Sequence, residues 1–251
     1  MRLRDLLDKF RRATYRRGYT CDCCGREVFA YPAERLCKQC EEKLLKNDRF
    51  VCDKCGRKTV TEGVCNACKR NLPRFDCGAS PYVYHGHTAA LVNEMKNGNR
   101  RLACFFAEKM AETFLFIKEK CGLSEGEWLA VPLPTTAEKR RLRGYNPSEE
   151  LLIELVAALR AQGEILPVDL DVLIKRRETS QQKHLSAKER MENVKGAYHV
   201  RKRVECRGKT VLLVDDILTT GATGSECARL LLAAGAKKVL LLTAAALPER
   251  R

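Results

Sequence analysis

An α/β domain with a mainly parallel sheet and flanking helices, joined to a small cysteine-rich N-terminal module, is predicted by three observations. Segments after Tyr82 alternate between helix-like and strand-like patterns. Val211–Val214 is apolar throughout, as expected of a strand buried on both faces. Ten of the 14 cysteines fall between Cys21 and Cys77. A length of 251 residues suits one sizeable core plus an appendage. The composition shift sets an expected boundary near Ser80, with 1–80 as the cysteine-rich module and 81–251 as the α/β domain.

In chain order, residues 87–97 place Leu91 and Met95 at helical spacing and stop at Gly98. A second helix is expected over 100–120. The run 128–133 is a strand punctuated by prolines. A basic loop follows, then a helix over 147–161 with Pro147 in its first turn. Leu170–Ile174 reads as another strand and Thr210–Val214 as a buried one. A loop leads to a helix through Ala234 that ends at Gly235, and a final strand spans Val239–Thr243.

The apolar runs Val211–Val214 and Val239–Leu247 fall short of the roughly 18 to 20 residues needed by a membrane helix, so no membrane insertion is expected. The opening stretch through Arg17 is charged and amphipathic and lacks a secretory pattern, making the cytoplasm the expected location.

Four C-x-x-C pairs, Cys21/Cys24, Cys37/Cys40, Cys52/Cys55 and Cys65/Cys68, each offer two thiolates to one metal. Two pairs complete a tetrahedral zinc site, so two structural zinc ions are expected. Twelve residues separate Cys24 from Cys37 and nine separate Cys55 from Cys65, which favours sequential pairing; an interleaved cross-brace is the alternative. Cys23 and Cys77 are surplus to the pairs. Cys104, Cys121, Cys206 and Cys227 read as core filler or idle thiols.

The chemistry-bearing segment is Val211-Leu-Leu-Val-Asp-Asp-Ile-Leu-Thr-Thr-Gly-Ala-Thr223. A buried strand delivers Asp215 and Asp216 to the sheet's ligand edge, where carboxylates can accept hydrogen bonds from ribose hydroxyls. Thr219, Thr220, Gly221, Ala222 and Thr223 then supply backbone N–H groups, hydroxyls and a helix N-terminus, the components of a phosphate site.

This segment resembles the phosphoribosyl pyrophosphate (PRPP) signature of type I phosphoribosyltransferases. Leu142-Arg-Gly-Tyr-Asn146 after Val131-Pro-Leu-Pro134, with 176–182 and Arg190-Met-Glu-Asn-Val-Lys-Gly-Ala-Tyr198, extends the resemblance to the ComF/GntX family of late-competence and amidophosphoribosyltransferase-like proteins. Pro147-Ser148 stands where the family pattern has Gln and a small residue, and Lys96 ahead of Gly98 matches a family lysine. The resemblance implies a type I phosphoribosyltransferase-like sheet. It also implies that Asp215 and Asp216 hold the ribose 2′ and 3′ hydroxyls as catalytic residues, that 219–223 hold the 5′-phosphate, and that some members serve DNA uptake and natural transformation.

The formal charge is +15, or about +11 once two zinc-thiolate sites each carry about −2. Residues 174–203 hold ten Lys/Arg against three Asp/Glu, and 138–143 hold four against one. Lys139 and Arg143 are candidates for the pyrophosphate of PRPP, accompanied by Mg²⁺. The remaining cations exceed what one small ligand can occupy. Arg140, Arg176, Arg177, Lys183 and Arg190 are therefore candidates for single-stranded DNA, with base stacking on Tyr145 and Tyr198.

Three functions stay open at this level: a PRPP-binding DNA-uptake protein, an active phosphoribosyltransferase with an unknown nitrogen acceptor, and a zinc-stapled adaptor for a competence helicase. No general base is identifiable, because His85, His87, His184 and His199 lack a readable partner.

Metal analysis of protein purified without chelator should give two zinc ions per chain, and chelation should unfold the cysteine-rich module, which has little apolar core of its own. A ratio near zero would overturn this expectation.

Overall fold

The computed structural model describes residues 20–21, 23–28, 35–123, 126–177 and 194–249; the amphipathic stretch 1–17 lies outside them. The chain forms two compact units, Met1–Leu44 and Leu45–Arg251. Residues 45–80, grouped by composition with the cysteine-rich module, pack within the second unit.

Each unit contains a cysteine knuckle of the same construction. In the first, the Cys21 N–H donates to the Arg26 carbonyl at 2.7 Å and Gly25 N–H to the Cys21 carbonyl at 2.9 Å. Thr20 and Glu27 form an antiparallel bridge, and helix α1 (Lys38–Glu41) carries Cys40. In the second, Cys52 N–H donates to Arg57 at 2.9 Å and Gly56 N–H to Cys52 at 2.8 Å. Val51 bridges Lys58, and α2 (Asn66–Arg70) carries Cys68. The two turns need the left-handed conformation, with φ of 70° at Gly25 and 68° at Gly56.

After α2 the second unit runs β1 (Cys77–Ala79), β2 (Tyr82–Val83), α3 (Gly86–Lys96), α4 (Leu102–Lys120), β3 (Trp128–Pro132), α5 (Ala137–Arg143) and α6 (Pro147–Ala161). It continues with β4 (Leu173–Lys175), β5 (Tyr198–Val200), α7 (Arg203–Cys206), β6 (Thr210–Leu218), α8 (Ala222–Ala233) and β7 (Lys238–Ala246). The main sheet has the order β1-β7-β6-β3 and is parallel throughout, with β2 pairing further along β7. The expected α/β class is observed.

Burial follows the strand pattern. Val211 and Leu213 of β6, Val239 and Leu241 of β7, and Leu129 and Val131 of β3 share one core cluster with Cys227, Ala228 and Leu231 of α8. Cys52, Cys55, Cys65, Cys68 and Phe75 belong to the same cluster, so the second knuckle helps cover this face of the sheet. On α4, Leu102, Phe106, Met110 and Phe114 recur every four residues and are buried. They pack with Leu151, Leu155 and Leu159 of α6 as the second helical layer.

Two expectations are corrected. The segment 138–143, read as a basic loop, is the helix α5. Thr136 caps it by accepting from the Lys139 N–H at 3.3 Å, and Gly144 terminates it at φ 80°. The strand near Leu170–Ile174 is β4, and it lies outside the main sheet, pairing antiparallel with β5. Beside β3 the chain makes a single bridge, Ala130 with Val168. It then turns away where the Asp171 N–H donates to the Asp169 carboxylate at 2.9 Å.

A β-carbon at Gly56 would lie 2.3 Å from the Gly78 carbonyl oxygen, whereas one at Gly25 meets nothing within 4 Å. Gly25→Ala should cost only the left-handed strain, about 1 kcal/mol, and Gly56→Ala at least about 2 kcal/mol because backbone must also move. Urea unfolding of both variants beside the parent checks this; equal losses would contradict it.

Candidate functional site

β3 ends at Pro132 opposite Val214, and the Leu133 N–H closes the pairing on the Val214 carbonyl at 2.8 Å. Asp215 and Asp216 thus lie beyond the last residue of β3, at the C-terminal side of a parallel sheet, where open α/β sheets bind ligands. The strand continues through both aspartates to Leu218, four residues past the expected end.

Each carboxylate is compensated by its surroundings. Asp215 Oδ1 accepts from the Ser148 hydroxyl at 2.9 Å and from the Asp216 backbone N–H at 2.8 Å. Asp216 forms an ion pair with Lys96 Nζ at 2.9 Å. Burial, with the adjacent Asp216 charge, pushes the Asp215 carboxyl up to about 7.

The Leu142–Asn146 motif arranges these partners. The Tyr145 hydroxyl donates to the Met95 carbonyl and accepts from the Gly98 N–H at 3.1 Å, tying the end of α3 to the start of α6. Asn146 caps α6 by accepting from the Ser148 N–H at 3.3 Å, while its amide donates to the Leu133 carbonyl at 3.0 Å. Pro147 in the first turn needs no N–H partner. Ser148, which follows the departure from the family pattern at Pro147, is thereby brought to Asp215. Its role was invisible in the sequence because the contact spans 67 positions.

The segment after the aspartates turns into α8 through Gly221, which caps the helix at φ 80°. Thr219 and Thr220 are exposed, Gly221 and Thr223 are half-buried and Ala222 is buried. The Thr220 hydroxyl accepts from the Ala222 N–H at 3.3 Å. The 12-residue helix α8 directs its positive end at this turn.

The basic candidates are dispersed. Lys139 and Arg140 lie within α5 and Arg143 is its last residue; Arg140 pairs with Glu149 at 3.1 Å. Arg176 and Arg177 follow β4 and are exposed, and the Arg177 guanidinium donates to the Lys195 carbonyl at 2.7 Å. Lys183 and Arg190 lie outside the described residues. The stacking roles considered for Tyr145 and Tyr198 are corrected, because both rings are buried. Tyr145 lies under Arg100 and Tyr198 under Lys175.

Two four-cysteine clusters form by sequential pairing, Cys21/Cys24/Cys37/Cys40 and Cys52/Cys55/Cys65/Cys68, with all sulfurs of a cluster within 4.8 Å of one another. Each has the donor set of a closed, tetrahedral metal site. In the second, Cys52 Sγ accepts from the Cys65 N–H at 3.2 Å and the Cys55 N–H at 3.5 Å, the arrangement a thiolate favours. In the first, the Arg26 backbone lowers the Cys24 thiol to about 7. Cys77 and Cys121 form a further close pair at 3.4 Å.

The phosphoribosyl transferase domain family matches residues 143–251, the stretch that includes the acidic pair and the α8 turn. The DNA utilization protein YhgH of Escherichia coli K12 is 27% identical over 206 residues, covering 81% of this chain and 87% of its own. The competence protein ComFC of Bacillus subtilis is 25% identical over 211 residues, covering 81% and 80%. Competence protein F of Haemophilus influenzae is 27% identical over 212 residues, covering 81% and 87%. Among solved structures, the glutamine PRPP amidotransferase of B. subtilis aligns with 58% of this chain and 27% of its own, at 20% identity and a TM-score of 0.36.

The raised Asp215 carboxyl binds its proton more tightly in the fold than in the unfolded chain, where the value is 3.8. The stability from that bound proton is present below the unfolded value and is lost as pH rises through about 7. Asp215→Asn, neutral throughout, should therefore raise Tm relative to the parent, and the gain should grow from about pH 5 to about pH 8. Thermal unfolding across that range checks this, and a pH-independent difference would contradict it.

Proposed function

We propose that the chain is a ComF-family protein that binds PRPP with Mg²⁺ and single-stranded DNA and acts in DNA uptake and natural transformation. The observation that carries the PRPP reading is the acidic pair at the end of β6, followed within five residues by the N-terminal turn of α8. In this reading Asp215 and Asp216 accept hydrogen bonds from the ribose 2′ and 3′ hydroxyls, and the N–H groups of 219–223 receive the 5′-phosphate. Lys139 and Arg143 face the pyrophosphate, whose charge Mg²⁺ helps to neutralise when bound. Zinc occupies both four-cysteine clusters as a structural ion. Lys96 offsets the charge of Asp216 beside Asp215.

The DNA reading is supported by the names of the relatives, which speak of DNA utilization and competence, and by the basic surplus in 138–143 and 174–203. Arg140, Arg176 and Arg177 are its exposed representatives among the described residues, joined in sequence by Lys183 and Arg190. With Tyr145 and Tyr198 buried, affinity would rest on phosphate charge and show slight sequence preference.

Calorimetry with PRPP/Mg²⁺ and salt titrations with single-stranded DNA test the two arms. The parent should bind PRPP, and the variant carrying Asp215→Ala and Asp216→Ala should lose binding while keeping its fold. DNA affinity should fall with salt at a log-log slope of about −0.7 per phosphate contact. Replacing Arg176 and Arg177 by Ala should flatten the slope by about one to two units. A parent that does not bind PRPP would overturn the site reading. A parent that binds PRPP but not DNA at low salt would leave a phosphoribosyltransferase acting on a nitrogen acceptor.

A further inference from the structure

Arg57 follows the second knuckle directly, in the sequence Cys55-Gly56-Arg57. Its relative exposure is only 7%. A buried guanidinium is costly unless its charge and N–H groups are matched. Nε donates to Cys55 Sγ at 3.2 Å, and Nη2 donates to the backbone carbonyl of Thr219 at 2.8 Å. One rigid, planar group thus joins a cysteine of the metal cluster to the first residue of the turn that enters α8.

The same side of the knuckle supports that turn elsewhere. The Phe75 ring is fully buried, about 4.0 Å from where a β-carbon on Gly221 would lie. The Arg74 N–H donates to the Ser225 hydroxyl in the first turn of α8 at 3.0 Å. Leu218 and Ala222, on either side of the turn, share a core cluster with the four cysteines. The equivalent residue of the first knuckle, Arg26, is exposed and pairs with Gln39 in its own unit. The repeat therefore distinguishes what a knuckle needs from what Arg57 adds.

We propose that Arg57 is the positioning residue of the anion-binding turn. By holding the Thr219 carbonyl against the Cys52/Cys55/Cys65/Cys68 cluster, it sets the backbone of 219–223 in the conformation that receives a phosphate. The inference rests on the phosphate reading given above for what the turn binds, but the mechanical link between knuckle and turn can be measured separately.

The test compares Arg57→Lys with the parent and with Arg26→Lys as full-length proteins. Lysine keeps the charge beside the thiolates but cannot present two donors in a fixed fork. Arg57→Lys should keep the parent's metal content, accelerate amide exchange across 219–223 by about tenfold, and weaken PRPP binding by about tenfold. Arg26→Lys should leave all three as in the parent. Parent-like exchange at 219–223 in a metal-replete Arg57→Lys protein would overturn the proposal.

Should Arg57→Lys lose its metal, reciprocity in the parent decides: PRPP binding at the turn must then slow exchange at 52–57, and no such protection would overturn the proposal. A parent that fails to bind PRPP would defeat the ligand reading alone, because the exchange comparison still reports the link.

Discussion

Two carboxylates side by side at the end of a buried strand repel one another and resist leaving water, and much of the second unit is arranged around that constraint. Lys96, the last residue of α3, brings a cation to Asp216, and Ser148, in the first turn of α6, brings a hydroxyl to Asp215. Tyr145 ties the turn after α3 to the segment before α6, while Asn146 fixes that segment to the end of β3. The Arg-Gly-Tyr-Asn motif is thus a clasp that aligns two helix ends on the acidic pair. The strain that remains is seen in the raised Asp215 carboxyl. Carboxyls perturbed in this way cluster at functional sites.

How much of this was legible depended on the range of the interaction. The helix from Pro147 to Ala161 was readable because its start signal and apolar period are local. The same holds for β6, whose unbroken apolar run has few alternatives to a buried parallel strand. Sequential pairing of the cysteines followed from their short loops. By contrast, α5 was read as a loop because a charged, seven-residue segment carries no apolar stripe; its identity lay in the Thr136 cap and the Gly144 stop. β4 was seen as a strand, but its partner β5 could not be inferred from so short a run. Ser148 and Arg57 act across 67 and 162 positions, beyond any local pattern.

The basic character of the chain divides by structural context. Lys96 and Arg57 are positive charges inside the fold, matched to Asp216 and to a cysteine sulfur. Arg140 is exposed but already engaged by Glu149, a pair that solvent weakens. Arg176 and Arg177 extend past a two-stranded ribbon whose Tyr198 lies in the core shared with α8. Cations fixed by the fold shape the acidic site, while Arg176 and Arg177 stand at the surface, where the Arg177 guanidinium still donates to the Lys195 carbonyl.

The position of β7 bears on how the second unit is made. β7 lies between β1/β2 on one side and β6 on the other, yet it follows all of them in sequence. During synthesis the cysteines of 52–68 can gather a metal early, because their ligands are close along the chain. The wall they form is completed only when Val239 and Leu241 join the same cluster, and the Asn66 N–H finds its partner in Glu249. Completing this side of the sheet therefore depends on contacts of high sequence separation, which slow folding. A metal held by these four cysteines would give the early segment a constraint of its own, independent of the strands that follow.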